Sequence, residues 1–249
     1  MSNRRGFNEN EVREESSWRY PIGIFAATFV LSVIFLYYYI GPTVDEIKGD
    51  VPSPAISEEP VAVKIANHTF APPANYTIYP RARRGGEREN LSLYLMWPTK
   101  NGYTPAFRRD FLENEPDTRR IDIVIEKRTP IFNEVERIER LYLPQTIDET
   151  GIATPYLLQK YTFKEKHPDT PSSGYADTEL YLGADADANP VALFCFKERS
   201  AIATPECWRN YEYSNTVTVN YRFKRPYLPE WRKIDEEVRA FINDLERKP

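Results

Sequence analysis

The segment TVTVNYRFK, residues 216–224, alternates apolar and polar side chains along its whole length. A period of two is typical of a β-strand with one buried face and one solvent-facing face. The apolar face carries Val217, Val219, Tyr221 and Phe223, and the polar face carries Thr218, Asn220, Arg222 and Lys224. The segment therefore predicts a strand in a sheet that has one wet face.

The same alternation recurs through much of the chain after residue 60. The further segments are VAVKI (61–65), NYTIY (75–79), LSLYLMW (91–97), IDIVIEK (121–127), YLLQKYTFK (156–164), TELYLG (178–183) and VALFCFKE (191–198). The spacers contain Gly-Gly, Asn-Gly, Pro-Ser-Ser-Gly and Asn-Pro, which favour tight turns. Strands joined by tight turns predict a mostly antiparallel sheet.

The period becomes helical in LPEWRKIDEEVRAFINDLERK, residues 228–248. Apolar residues recur at helical spacing at Trp231, Ile234, Val238, Phe241, Ile242 and Leu245. Pro229 suits the first turn, and Arg247 and Lys248 suit the last. We predict an amphipathic helix over about residues 229–247 that packs on the apolar face of the sheet, with a partner-binding helix as the alternative. The fold class is then α+β.

Residues 22–41, IGIFAATFVLSVIFLYYYIG, contain no charged residue. At 1.5 Å per residue, such a run is long enough to cross a hydrocarbon core of about 30 Å as a helix. Trp18 and Tyr20 precede it and Tyr37, Tyr38 and Tyr39 end it, as is typical of the two membrane interfaces. We predict a transmembrane helix over residues 21–41, in contact with the lipid bilayer through residues 22–41. A cleaved signal peptide and a buried soluble helix are the alternatives.

The flanking basic residues predict the orientation of this helix. Arg4, Arg5, Arg13 and Arg19 precede the run, whereas the next basic residue after it is Lys48. Lysine and arginine are retained on the cytoplasmic side. We therefore expect a plasma-membrane protein with a disordered cytoplasmic tail (1–20), an extracytoplasmic linker (42–59) and one β-rich domain (60–249) in the periplasm.

The predicted transmembrane helix carries small and hydroxylated residues four positions apart. Gly23 and Ala27 form one such pair, and Thr28 and Ser32 form another. Small residues at this spacing let two helices approach closely, and hydroxyl groups can bridge them. The pairs indicate either a docking face for a partner membrane protein or an ordinary anchor with a few small residues.

The two cysteines of the chain, Cys195 and Cys207, lie in FCFKERSAIATPECW. Outside the cytoplasm two cysteines more often oxidise than act as a nucleophile or bind zinc. His68 and His167 stand in no catalytic or zinc-ligand spacing relative to them. We predict a disulfide that joins two adjacent antiparallel strands, and we regard Lys197 and Arg199 in the loop between them as candidate partner contacts.

Two loops resemble ligand-binding motifs. RARRGGER carries Arg81, Arg83, Arg84 and Arg88; we expect a hairpin tip that is either a solvated loop or a contact for an anion or an acidic partner. GADADANP (183–190) begins like a calcium loop, but Pro190 and Phe196 stand where glycine and glutamate are required. We interpret it as a hairpin turn.

The segments PPANYTIYPRARRGG (72–86) and CFKERSAIATPECW (195–208) are similar to segments of single-pass periplasmic proteins of alphaproteobacteria. The resemblance covers most of the predicted domain. It implies the bacterial periplasm and brings no activity with it.

The chain shows no catalytic constellation and no cofactor motif. Lys and Arg number 33 against 37 Asp and Glu, a net charge of −4, which gives no footprint for nucleic acid. We predict no metal, no cofactor and no enzyme activity. The favoured function is an accessory or scaffold subunit that binds a protein partner in or at the membrane. The alternatives are a membrane-tethered periplasmic immunity protein or inhibitor of a toxin or hydrolase, and an enzyme built on dispersed carboxylates.

Overall fold

The computed structural model describes residues 18–128, 131–148, 150–164, 175, 177–198 and 203–247. The chain divides into two compact units, Met1–Lys48 and Gly49–Pro249. Part of the segment expected to be a linker is hydrogen-bonded to the second unit. Ser53 N–H donates to the carbonyl oxygen of Ile78 (3.0 Å), and Asn75 N–H donates to that of Ser57 (2.8 Å).

The first unit contains helix α1, Arg19–Ile40, and the short helix α2, Val44–Lys48. Helix α1 has 22 residues and a mean hydropathy of 2.0 over its most apolar window, so it is long and apolar enough to cross a membrane. An N-terminal signal sequence has the same properties. The structure therefore places an apolar helix where the sequence predicts one.

The strands of the second unit are β1 Val63–Ile65, β2 His68–Phe70, β3 Gly86–Glu87, β4 Asn90–Met96, β5 Arg120–Lys127, β6 Ile152–Ala153, β7 Gln159–Thr162, β8 Thr178–Ala184, β9 Pro190–Phe196, β10 Glu206–Glu212 and β11 Val217–Lys224. They form an eight-stranded sheet of order β4-β5-β11-β10-β9-β8-β7-β6 and a three-stranded sheet of order β2-β1-β3. All neighbours in the large sheet pair antiparallel. Only β1 and β3 pair parallel among the described strands. The predicted mostly antiparallel sheet is confirmed.

One face of the large sheet, here called the inner face, carries the main core. Helix α5, Trp231–Leu245, packs on it through Trp231, Ile234, Val238, Ile242 and Leu245. Pro229 lies in the 3-10 turn Arg225–Glu230 that leads into the helix. The helical period of the sequence predicts this apolar stripe, so the expected helix on the sheet is confirmed. The remaining helices are α3, Arg108–Leu112, and α4, Glu134–Arg137.

Residues 75–79 are not a strand, contrary to expectation. Ala74–Tyr76 forms a 3-10 turn directly after Pro73, and only Thr77 makes an isolated bridge, to Leu93. Proline fixes φ near −65° and favours such a turn over a central strand. The following RARRGGER segment is therefore not a hairpin tip; Ala82–Arg84 forms another 3-10 turn.

The interpretation of residues 183–190 as a hairpin turn is correct. Strands β8 and β9 pair up to Ala184 and Pro190. The Asp185 carboxylate accepts hydrogen bonds from the backbone N–H groups of Asp187 (3.0 Å) and Asn189 (2.8 Å). An aspartate that closes its own turn in this way is typical of an Asx-turn.

Candidate functional site

The face of the large sheet opposite α5, here called the outer face, is covered at its two sides and open between them. On the β4–β5 side, Phe111 of α3 and Tyr103 pack on Tyr94 and Met96. On the β7–β9 side, the segment that follows α4 places Ile138 and Tyr142 in one cluster with Tyr161, Leu180 and Phe194. Of the strands between these covers, β10 and β11, only Trp208 of β10 packs against either cluster among the described residues, at the edge of the second.

A continuous row of side chains crosses the outer face from strand to strand. Directly opposed residues in antiparallel strands point to the same face and contact one another. The register makes each member of the row the direct partner of the next, and the members are Leu180, Phe194, Trp208, Arg222, Asp122 and Tyr94. We call this the outer row.

The centre of the outer row is the exposed part. Trp208 is partly exposed and Arg222 is exposed, and the Arg222 guanidinium lies 5.7 Å from the Trp208 ring centroid. Phe196 also contacts the indole, at 4.9 Å between centroids. Arg222 makes no ion pair with the described residues. Tryptophan and arginine are the side chains most enriched in the binding energy of protein interfaces.

A small cavity of about 150 Å³ adjoins the open strip. It is lined by Arg137, Tyr142, Phe194, Trp208, Asn210 and Asn220. Asn210 and Asn220 are direct partners in the row beside Trp208 and Arg222. Their amide groups surround the exposed aromatic centre with hydrogen-bonding capacity, as in an interface with an apolar centre and a polar rim.

Beneath this surface lies a buried charge network centred on Arg209. Its guanidinium donates to Asp235 of α5 (2.6 Å) and to Glu134 of α4 (2.8 Å). Tyr221 also donates its hydroxyl to Asp235, at 2.8 Å. Arg209 is 2% exposed, Asp235 1% and Glu134 7%. Burial lowers the pKa of Arg209, but the charge and hydrogen bond of Glu134 together with Tyr221 and Asp235 outweigh it, and the pKa is raised.

The network occupies a split in the sheet. The β9–β10 ladder ends at the pair Arg209–Leu193. Beyond this pair, the backbone N–H of Ala192 has no partner in β10. It donates instead to the Glu134 carboxylate, at 3.0 Å. Helix α4 is held there by a capping box between Asn133 and Glu136. The network therefore connects α4, the sheet and α5. A buried arginine that is always charged does not transfer protons.

Glu212 forms a second ion-pair centre at the rim of the split. Its Oε1 accepts from Arg128 (2.6 Å) and from Arg137, and its Oε2 accepts from the backbone N–H of Glu134 (3.1 Å). Burial raises the pKa of the Glu212 carboxyl, but the hydrogen bond and charge of Arg137, the charge of Arg128 and the backbone N–H of Glu134 together outweigh it, so the pKa lies below its usual value. Arg137 is thereby held in place at the wall of the small cavity.

The sequence-predicted arginines turn largely inward. Arg81 pairs with Asp50 (2.7 Å), and Arg88 donates to the carbonyl oxygen of Arg81 (3.1 Å). Arg83 donates to Thr77 Oγ1 (2.9 Å) and to the carbonyl oxygen of Ser53. These contacts fasten residues 50–53 to the domain, whereas Arg84 is exposed. Lys197 is partly buried, and Arg199 lies outside the described residues.

Cys195 and Cys207 are direct partners in the β9–β10 ladder, on the buried inner face. Their sulfur atoms lie 2.02 Å apart, the distance of a disulfide. The expected adjacent antiparallel strands are confirmed. Within the described part of the chain, no group of three or more His, Cys, Asp or Glu side chains is placed to hold a metal ion. His68 pairs with Glu246 (2.5 Å), and His167 lies outside the described residues.

Sequence reasoning missed both the charge network and the outer row. Two signals could have found the network. Arg209 shares the inward face of β10 with Cys207 and Tyr211, and Asp235 follows Ile234 on the apolar stripe of α5. A charge on each of two packed apolar faces indicates a buried pair. No local signal predicts the outer row, because it depends on strand order.

Comparison with known proteins gives a likeness of fold. No family model matches the chain, and no curated protein sequence matches it. A solved structure of an immunity protein of the Stenotrophomonas maltophilia type IV secretion system is similar, with a TM-score of 0.54 and 20% sequence identity. The match covers 77% of this chain and 95% of that one. At this identity the likeness shows a shared α+β fold.

Proposed function

We propose that this chain is a membrane-tethered immunity protein or inhibitor that neutralises a toxin outside the cytoplasm by binding it on the outer face. One observation carries the proposal. The outer row exposes an aromatic–arginine centre, Trp208 and Arg222, between two covered flanks. A partly exposed tryptophan beside an exposed arginine fits the anchor residues of a protein interface.

The shared fold supports this function over the favoured sequence-based one. The similar structure is an immunity protein of a secretion system, and immunity proteins act by binding another protein. The role proposed here is accordingly non-catalytic, with a protein toxin as the partner.

The proposed location follows from helix α1 and the cysteines. We propose that α1 anchors the chain in the plasma membrane with its N-terminus in the cytoplasm, since Arg4, Arg5, Arg13 and Arg19 precede the helix. The domain would then lie in the periplasm. Cysteines at disulfide distance suit that oxidising compartment.

A mixed-culture experiment tests the immunity function. The gene is deleted from the bacterium that carries it, and the deletant is grown on a surface in contact with its parent. We expect the deletant to be outcompeted in contact but to grow normally alone, and the wild-type gene to restore it. A deletant that holds its numbers against the parent excludes an immunity function.

The same assay tests the outer face. Trp208→Ala with Arg222→Glu should fail to restore the deletant. The matched control, Leu157→Ala with Arg247→Glu, replaces one exposed apolar residue and one exposed arginine away from the outer row and should restore it fully. Both variants must accumulate to the wild-type level, because the comparison concerns binding and not folding.

A second candidate is an accessory or scaffold subunit of a membrane complex, and the residues Gly23, Ala27, Thr28 and Ser32 favour it. In α1 the members of each pair are four residues apart, so each pair lies along one side of the helix. In this function Ala27→Leu with Thr28→Leu should abolish co-purification with the membrane partner. Unchanged co-purification removes this candidate, and the immunity function predicts that outcome.

A further inference from the structure

A cavity of about 340 Å³ lies at the β4–β5 end of the outer row. Its walls are the Pro52–Ser53–Pro54 segment, Ile78 and Tyr79, and Phe111 and Leu112 of α3; Tyr94, Arg120 and Asp122 of the sheet complete its lining. The volume falls at the lower end of the range of about 300–1,000 Å³ typical of small-molecule sites. Most of the lining is aromatic, proline or aliphatic, which suits a flat apolar body.

Arg120 provides the cavity with N–H groups that have no acceptor among the described residues. The guanidinium forms an ion pair with Asp122, in which Nη2 donates to Oδ2 at 3.0 Å and Nε lies 2.9 Å from Oδ1 without a hydrogen bond to it; Nη1 donates to the carbonyl oxygen of Phe111. These contacts turn Nε toward Asp122 and use one N–H group of each Nη nitrogen. An arginine side chain has five N–H donors, so two remain for a ligand. The Arg120 side chain is 26% exposed.

Tyr94 provides a second polar group. The residue is 4% exposed, and its hydroxyl has no hydrogen-bond partner among the described residues. A buried hydroxyl without a partner carries a desolvation cost that a ligand acceptor removes. Burial raises the pKa of Tyr94 to about 12, so the phenol keeps its proton at neutral pH and can donate it.

The charge around the cavity favours an anion. The charge of Arg83 acts on Tyr94 together with that of Arg120, and Asp122 supplies the opposing charge. The guanidinium groups of Arg83 and Arg120 outnumber the carboxylate of Asp122, so the net charge is positive beside the N–H groups of Arg120 that form no hydrogen bond. Arginine donors in such a setting recognise carboxylates better than neutral or cationic groups.

We propose that this cavity binds a small ligand with a flat apolar body and one carboxylate, with the carboxylate held by the free N–H groups of Arg120 and the hydroxyl of Tyr94. The rings of the ligand pack against Phe111, Leu112 and the proline segment. The proposal does not rest on the toxin-binding function, because it is argued from Arg120, Tyr94 and the apolar walls and not from the exposed centre, Trp208 and Arg222.

Three probes with the same ring system test the proposal on the full chain in lipid nanodiscs. They are naphthoate, naphthylmethanol and naphthylmethylammonium, and their affinities are measured by calorimetry, with empty nanodiscs as the blank. We expect naphthoate to bind about tenfold more tightly than the alcohol, in line with the strength of charge-assisted hydrogen bonds. We expect no measurable binding of the ammonium probe.

Variants locate the site. Tyr94→Phe keeps the ring and removes the hydroxyl, so it should weaken naphthoate about fivefold, the value of one hydrogen bond. Because that hydroxyl is unpaired, the variant should fold as well as the wild type. Tyr227→Phe is the matched control: it removes a hydroxyl that donates to the carbonyl oxygen of Asp117 (3.0 Å), away from the cavity, and should change nothing. Leu112→Trp should block binding by filling the mouth.

Three outcomes overturn the proposal. Equal affinities for the three probes would mean that the cavity accepts any apolar ring. Tighter binding of the ammonium probe would make Asp122 the recognition group. Absence of naphthoate binding up to about 1 mM, the weak end of specific affinity, would mean that there is no such site.

Discussion

Arg209 compensates two buried carboxylates, those of Glu134 and Asp235. Removing one partner of a buried ion pair leaves the other charge uncompensated, at a cost of about 3–5 kcal/mol. Arg209→Met keeps a side chain of similar length but leaves Glu134 and Asp235 buried without their cation. We therefore expect the free energy of unfolding of the domain to fall by about 3–5 kcal/mol. Urea unfolding followed by tryptophan fluorescence measures it.

Two comparisons separate lost charge from lost packing. Arg109→Met removes an arginine that is 61% exposed and paired with Glu113 and Asp117, so it should cost less than about 1 kcal/mol. Adding Glu134→Gln and Asp235→Asn to Arg209→Met should restore more than half of the loss. If the triple variant were as unstable as the single one, packing would be the cause.

Glu212 makes the stability of the domain depend on pH. Its pKa is lower in the folded state, where Arg137 and Arg128 surround it, than in the unfolded chain. The resulting stabilisation is present above the unfolded value of about 4.3 and is lost as the pH falls through the folded value. We expect Glu212→Gln to cost about 2 kcal/mol at neutral pH, and the cost to shrink as the pH falls below the unfolded value. A constant difference across that window would contradict the linkage.

The residues of the network and of the outer row differ in how far the sequence could predict them. Arg209 and Asp235 each lie on a face that the local period marks as apolar, so a buried pair was foreseeable. The contact of Glu134 with Ala192 was not, because it depends on where two strands diverge. The pairing of Trp208 with Arg222 follows from register, which alternation alone does not fix.

Among the elements, the β9–β10 pair joins the two cysteines. Their separation of 12 residues closes a short loop across the ladder. We expect the unreduced protein to be about 2 Da lighter than the reduced one, and Cys195→Ala with Cys207→Ala to cost about 3 kcal/mol by the chain-entropy model. Intact mass and urea unfolding measure the two effects.

A redox control is available within the same experiment. The free energy of unfolding of the double alanine variant should not change with added reductant, whereas that of the wild type should fall. Two thiols that react with a labelling reagent in the folded, unreduced protein would refute the bond.

The elements also show where period-based prediction works. Long strands with strict alternation, such as β5 and β11, lie within about one residue of the predicted positions, because burial on one face dictates the pattern. Residues 75–79 alternate as well, but Pro72 and Pro73 before them impose a turn. Helix α4 was not predicted, although its capping box, Asn133 with Glu136, is visible in the sequence.

At the scale of the whole molecule, the strand order and the segments that pack on the outer face determine where the candidate site lies. The strand order places β10 and β11 in the middle of the sheet, with β4 and β6 at its edges. Covers over the two sides leave the centre open. Neither the order nor the position of the covers follows from local periods, since both depend on pairing between distant segments. The α+β class was therefore predictable, whereas the open centre of the outer face was not.

The division of the chain at Lys48 allows the two candidate functions to be separated by truncation. A chain consisting of Gly49–Pro249, exported to the periplasm behind a cleavable signal, retains the outer face and lacks α1. If the domain neutralises a toxin by binding, this chain should still protect the deletant in mixed culture. Protection should require more protein than with the full chain, because anchoring raises the effective concentration at the membrane.

If α1 instead docks on a membrane complex, truncation should abolish association at any expression level. Loss of protection in the truncated chain, despite normal folding and export, would contradict the immunity function, and the same chain carrying Trp208→Ala with Arg222→Glu gives the baseline for no binding.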